Sequence, residues 1–312
     1  IIDNLTVKAA ATYTEPSNNG LAFAWASIQS GGGATSVWRP LFVEPNHEWD
    51  YSLGLEYHLP DSSTRAVFEY DYYRHADART AYGAAAMGVA AAGANVVEGR
   101  VTHKDRDFKL GLRHTVDLGP KFDLVLGGLI QYARAQRTFI ERFSNGAAAT
   151  TYFRTTLDEA EGWGPHVDAL GRAYPWGKRG NSCWSLWARG GVGLLYTDQL
   201  YRQITTVGTG GAPAPFLTNG SIDGEEAQSV VAKVEADMGV EFTRVMKADF
   251  SDMQLGLRLG LRYSNMLNAF KNGAYTQLAI PGTYPGGINN TARDDFGRMG
   301  GFLEFRLGGA NA

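Results

Sequence analysis

Hydrophobic and polar residues exchange places at every second position over stretches of about ten residues, the period of a half-buried β-strand rather than of a helix. Over residues 49–59, Trp49, Tyr51, Leu53, Leu55, Tyr57 and Leu59 share one face, and Asp50, Ser52, Gly54, Glu56 and His58 the other. Ala66, Phe68, Tyr70 and Tyr72 oppose Arg65, Glu69, Asp71 and Tyr73, and Phe108, Leu110 and Leu112 oppose Asp107, Lys109, Gly111 and Arg113. Val230, Ala232, Val234, Ala236, Met238, Val240 and Phe242 oppose Lys233, Glu235, Asp237, Gly239 and Glu241. Leu255, Leu257, Leu259, Leu261 and Tyr263 oppose Gln254, Gly256, Arg258, Gly260 and Arg262. The pattern predicts about ten strands, near residues 5–15, 48–60, 65–77, 101–118, 121–143, 150–176, 184–206, 226–246, 252–268 and 296–308. The sixth is the weakest, with Trp163, Pro165, Val167, Ala169 and Ala173 against His166, Asp168 and Arg172.

A soluble β-sandwich alternates as well, so the fold class turns on three further features. Connection lengths alternate. Short turns fall at Asp61–Thr64, Gly119–Lys121, Gly177–Ser182 and Lys247–Asp252, and long stretches at Pro16–His47, Ala78–Gly99, Ser144–Thr150 or beyond, Gly208–Glu225 and Lys271–Asp295. This is the plan of an outer-membrane barrel, with short periplasmic turns and long extracellular loops. Aromatic residues on the apolar face gather at strand ends. Tyr13, Trp49, Tyr51, Tyr70, Tyr72, Tyr132, Trp163, Tyr196 and Tyr263 lie toward the loops, and Tyr57, Phe122, Trp184, Phe242 and Phe305 toward the turns. Two girdles around an aliphatic band are what amphipathic rings at two membrane interfaces produce. The polar face carries full charges, which a lumen can pair or hydrate. In lipid only a closed sheet satisfies its own backbone. The expected fold is all-β: one transmembrane, antiparallel, up-and-down β-barrel domain over residues 1–312.

Composition narrows the picture further. Mean hydropathy is -0.24, and nothing approaches the ~20 consecutive apolar residues of a spanning helix; the nearest run is Ala84–Ala94. A net charge of -3 gives no electrostatic case for nucleic acid. The single cysteine, Cys183, excludes an internal disulfide framework and a cysteine-built metal site. Exported proteins lose their targeting segment, so Ile1 is expected to be a processed end and the location the bacterial outer membrane.

Four segments resemble a known family, the Legionella-type major outer membrane proteins. They are Ala-Thr-Tyr-Thr-Glu-Pro at residues 11–16, the Trp and Gly-x-x-Tyr arrangement within His47–Pro60, the Gly-x-Gly-Pro segment opening Gly162–Tyr174, and Trp187–Tyr196. The resemblance implies a pore-forming outer-membrane barrel. Its best-known members are cysteine-crosslinked, whereas this chain offers only Cys183.

No enzyme constellation stands out. His166 lies two residues from Asp168, and Glu56 two from His58, but these read as paired lumen groups below the rim that a protein substrate would reach. The lumen charges are the informative residues: Glu56, Glu69, Asp71, Lys109, Arg113, His166, Asp168, Arg189, Glu235, Asp237, Glu241, Arg258, Arg262, Arg298, Glu304 and Arg306. Acidic and basic strands sit side by side. Two readings stay open. One is porin-like, with passive passage of small solutes or ions through a narrow charged lumen. The other is a structural or surface-interaction barrel, closed by ion pairs and acting through its loops or barrel-to-barrel packing, since narrow barrels are filled by side chains. Neither a cofactor nor a metal is expected; Asn289, Asn290, Thr291, Asp294 and Asp295 offer oxygens without the spacing of a calcium loop. Expected partners are outer-membrane lipid and lipopolysaccharide, with a homo-oligomer or other envelope proteins beside them. Ala81–Ala94 and Gly208–Gly224 read as surface loops.

Overall fold

The computed structural model describes residues 4–16, 21–29, 36–43, 46–82, 96–144, 150–177, 181–209, 217–222, 226–247, 252–271 and 293–309. Among them the strands are β1 (Leu5–Pro16), β2 (Leu21–Gln29), β3 (Ser36–Val43), β4 (Glu48–His58), β5 (Thr64–Tyr82), β6 (Val96–Asp117) and β7 (Phe122–Ser144). There follow β8 (Thr150–Ala173), β9 (Ser182–Thr209), β10 (Leu217–Ile222), β11 (Glu226–Met246), β12 (Met253–Lys271) and β13 (Arg293–Gly309). Ten of these close a barrel in the order β1-β4-β5-β6-β7-β8-β9-β11-β12-β13, every pair antiparallel, with β13 returning to β1. Closure through the Thr6–Gly308 to Pro16–Arg298 register leaves the sheet without an edge, the condition for burying it in lipid.

The rungs climb. Followed by pairing from Pro16 through Arg298, Glu235, Asp168 and Arg113 to Arg65, one circuit returns beside the start of β1. That is a stagger of roughly twelve residues, the tilt that a closed barrel requires. Tyr70, Phe108, Tyr132, Trp163 and Tyr196 are successive cross-strand partners, an outward aromatic belt over five strands. Trp163 is 64 % exposed, as is expected of a ring facing lipid. Below the belt Leu110, Leu126, Ile130, Val167, Leu194, Leu259 and Leu261 are all exposed, and Phe122, Trp184 and Phe305 mark the lower interface. Tyr13, Trp49, Tyr51, Tyr57, Tyr72, Phe242 and Tyr263 share the outward parity. Both sides are thus decided by the period of two: what would be the core of a soluble sheet faces outward here.

Three connections differ from the sequence expectation. Pro16–His47 carries a hairpin, β2 with β3. Within Gly208–Gly224, β10 pairs with the end of β9, because backbone pairing with an existing strand supplies order that side-chain periodicity did not signal. Ser144–Thr150 is no long loop: β7 and β8, at 23 and 24 residues, stay paired beyond the membrane and leave only residues 145–149 between them. Most of Ala81–Ala94 and all of Asn289, Asn290 and Thr291 lie outside the described residues, while Asp294 and Asp295 belong to β13. The short turns use local backbone devices, as at Gly119, whose φ of 106° favours glycine.

Cys183, half-buried at the turn-side start of β9, tests the orientation. A membrane-impermeant maleimide is expected to label it in lysed cells but not on intact ones. Strong labelling of intact cells would turn the barrel over.

Candidate functional site: a stoppered, charged lumen

Each inward position that alternation assigns to the lumen has to be stabilised among its neighbours, and ion pairs do this. At the turn-side end, Glu241 on β11 receives three guanidinium groups: Arg306 at 2.7 Å, Arg258 at 3.0 Å and Arg172 at 3.3 Å. Glu304 bridges Arg258 at 3.5 Å and Arg306 at 3.6 Å. Glu56 holds Lys8, and also Arg65 at 3.4 Å and Arg306 at 3.3 Å.

One level higher, Arg113 is clamped between Glu69 and Asp168, each at 2.5 Å. The clamp needs Gly127 beside it: a Cβ there would lie 1.9 Å from the Asp168 Oδ1. Arg189 donates to Asp237 at 2.6 Å and to Glu69 at 3.3 Å, and Arg262 joins Asp237 at 3.3 Å to Asp71 at 3.4 Å. Higher still, Lys109 meets Glu235 at 2.5 Å, and Lys233 meets Asp107 at 2.9 Å and Asp105 at 3.6 Å. Arg298 joins Asp50 at 3.1 Å to Asp105 at 3.6 Å.

Several of these contacts cross the barrel. Lys109–Glu235, Lys233–Asp107, Arg189–Glu69, Arg262–Asp71 and Arg298–Asp105 each join strands four places apart in a ring of ten. Opposite walls therefore touch. Between these pairs lies a cavity of about 40 Å³ among Glu69, Arg189 and Asp237, room for roughly three waters. A wider vestibule of about 170 Å³, lined by His58, Tyr174 and Thr243, faces the turns.

On the loop side an apolar cluster enters the interior, beside a further buried ion pair, Arg137 with Asp158 at 2.8 Å. Tyr73, Leu195, Val231, Met266, Phe270 and Phe296 are buried together with Ala133, Ala135 and Ala160 at the height of the loop-side girdle. Phe270 and Phe296 meet edge to face at 5.8 Å, and the Arg137 guanidinium lies 4.6 Å from the Phe270 ring centre. These aromatics cap the charged interior on the loop side.

The sequence profile of the Legionella pneumophila major outer membrane protein precursor matches residues 3–309, nearly the whole chain. The chain belongs to the Legionella major outer membrane protein family. It is a protein of the bacterial outer membrane, in keeping with a closed barrel carrying two aromatic girdles. No curated protein sequence matches the chain significantly. By backbone shape this family member is similar to the translocator domain of the autotransporter NalP from Neisseria meningitidis, at 12% identity and a TM-score of 0.34, covering 97% of this chain and 88% of that one. It is also similar to the outer membrane protease OmpT from Escherichia coli, at 9% identity and a TM-score of 0.42, covering 99% and 97%. A third is the Pseudomonas putida toluene transporter TodX, at 6% identity and a TM-score of 0.34, covering 99% and 90%.

In this Legionella-family barrel all sixteen charged or histidine residues assigned to the lumen face inward. His166 and Asp168 do not pair with each other: His166 Nδ1 is 3.0 Å from the Gln131 amide oxygen, and Asp168 belongs to Arg113. Arg258 pairs with Glu241 and Glu304, while Asp237 is held by Arg189 and Arg262. Lys8, Asp50, Arg65, Asp105, Asp107, Arg172 and Lys233 also belong to the lattice. Parity was signal enough to find most of them, since Asp107 and Lys233 each sit two residues from a charge already assigned inward.

Proposed function

We infer that this protein is a barrel closed at rest, serving the outer membrane as a structural or surface-interaction element through its outer face and loops rather than as an open general pore. The observation that carries this reading is the set of ion pairs joining strands four places apart. A hydrated channel would keep such groups apart on opposite walls; here they touch, beneath an apolar cap. Ten strands also stand near the filled end of the size range, since open aqueous channels come at about 16–18.

Porin-like passage is the second reading, and one observation favours it: the lining carries both signs of charge from the turn-side vestibule up to the cap, the wall a small ion or polar solute would need. On that reading the cap and the crossing pairs must part first. Planar-bilayer recording separates the two. The expected result is no steady conductance from the folded parent protein. Large steady steps, with Arg113→Gln changing ion selectivity but not stability, would overturn the closed barrel in favour of the pore.

A further inference from the structure

The outer face carries a charged patch that the lumen lattice does not use. Arg74 on β5, Lys104 and Arg106 on β6, and Arg134 on β7 all point outward, one or two rungs beyond the belt residues Tyr70, Phe108 and Tyr132. Arg74 stands directly opposite Lys104, and Arg106 directly opposite Arg134. Because the rungs climb round the barrel, Arg134, one rung beyond its tyrosine, comes level with Arg74, two rungs beyond Tyr70. The four cations thus gather at one height, just outside the aromatic girdle.

Within the patch, Arg134 is partly neutralised by Glu159 at 2.9 Å and Glu161 at 3.4 Å. Arg106 lies 5.9 Å from the Tyr72 ring centre. Among the described residues, no carboxylate stands within ion-pair distance of Arg74, Lys104 or Arg106. Like charges directly opposite on a sheet are destabilising, so the fold itself gains nothing from two such rungs. The patch is one-sided as well: the outward groups just beyond the girdle on β8, β9 and β1 include Glu161, Asp198 and Glu15.

The height and surroundings fix the chemistry of what would neutralise it. An anion there sits at the headgroup level of the outer leaflet. To span two rungs it needs more than one negative group, and guanidinium forks favour phosphate oxygens. Directly below, Phe108, Leu110 and Ile130 are exposed side by side, an apolar track leading from the headgroup level into the membrane. We propose that Arg74, Lys104, Arg106 and Arg134 form a binding site for the phosphorylated headgroup of an outer-leaflet glycolipid, the chemistry of lipid A, with acyl chains lying along that track. The site is independent of whether the lumen conducts.

The test uses the full chain in detergent with three probes: bisphosphorylated lipid A, phosphatidylglycerol and inorganic phosphate. Native mass spectrometry reads bound lipid and thermal unfolding reads stability. The parent is expected to retain lipid A and to unfold at a higher temperature with it. The triple variant Arg74→Gln/Lys104→Gln/Arg106→Gln is expected to bind it about a hundredfold more weakly, the combined effect of three cations near an anionic surface. Without lipid, that variant should be as stable as the parent or more so, because opposed like charges are gone. Arg244→Gln, which alters an exposed arginine at the turn-side end of β11, should leave lipid A binding unchanged. Undiminished lipid A on the triple variant would overturn the site. Equally tight phosphatidylglycerol would reduce it to general charge attraction. Displacement of lipid A by inorganic phosphate at equal concentration would make it a free-phosphate site, and a triple variant destabilised without lipid would make the cluster structural; either result overturns the proposal.

Discussion

Replacing Glu241 by Gln is expected to cost about 3–5 kcal/mol of barrel stability, because it strips the shared anion from three arginines that crowd round it at the edge of the turn-side vestibule. Glu241 is 3 % exposed and touches Arg306, Arg258 and Arg172 at 2.7–3.3 Å. The substitution keeps size but turns one accepting oxygen into an amide donor that faces guanidinium groups, so the loss measures charge and its hydrogen bonds rather than packing. Arg258→Ala should cost less: Glu241 then still holds Arg306 and Arg172, and Glu304 still holds Arg306. Urea unfolding in lipid vesicles gives both numbers. The order matters as much as the size. If Glu241→Gln unfolds with the parent, the lumen is hydrated at this level and the closed barrel fails there.

Leu259→Arg should be nearly as damaging for the opposite reason. Leu259 is 58 % exposed on β12, between Leu255 toward the turns and Tyr263 at the loop-side girdle. An arginine there must enter the hydrocarbon, at about 2–4 kcal/mol near the bilayer midplane. Vesicle refolding equilibria would detect it. In detergent, where the head group finds water more easily, the penalty should shrink. A variant as stable as the parent in lipid would invert the assignment of inside and outside.

How much of this was legible beforehand follows from what a strand is. Successive side chains point to opposite faces whatever the strand pairs with, so alternation alone separated Leu255, Leu257 and Leu259 from Arg258 and Arg262. Girdle positions were legible for a similar reason. Depth in a membrane maps directly onto position along a strand, so Phe122 and Tyr132 mark two interfaces before any partner is known. The sixth strand was faint because Pro165 lacks an N–H and its outer face is small. In the barrel β8 is held along its length by β7 and β9, and the β9 pairing resumes at His166–Gly193 after the break at Gly164 and Pro165.

Pairing partners were a different matter. Parity says that Lys109 and Glu235 both point inward, but they stand 126 residues apart in the chain, and only barrel closure and stagger bring them to one height on opposite walls. Side-by-side acidic and basic strands suggested neighbour pairing, and some pairs are of that kind, such as Arg189–Asp237. The contacts that span the lumen depend on the stagger of the strands as well as their number, and no local pattern encodes the stagger. The apolar cap has the same origin: Tyr73, Phe270 and Phe296 come from β5, β12 and β13, and nothing near any of them in the chain announces the others. The sequence by itself determined which side of the wall each residue occupies, because a two-residue period is a property of the backbone. Whether the space inside is open was decided only by the tertiary structure, because ten strands at this tilt set a radius that side chains from opposite walls can bridge.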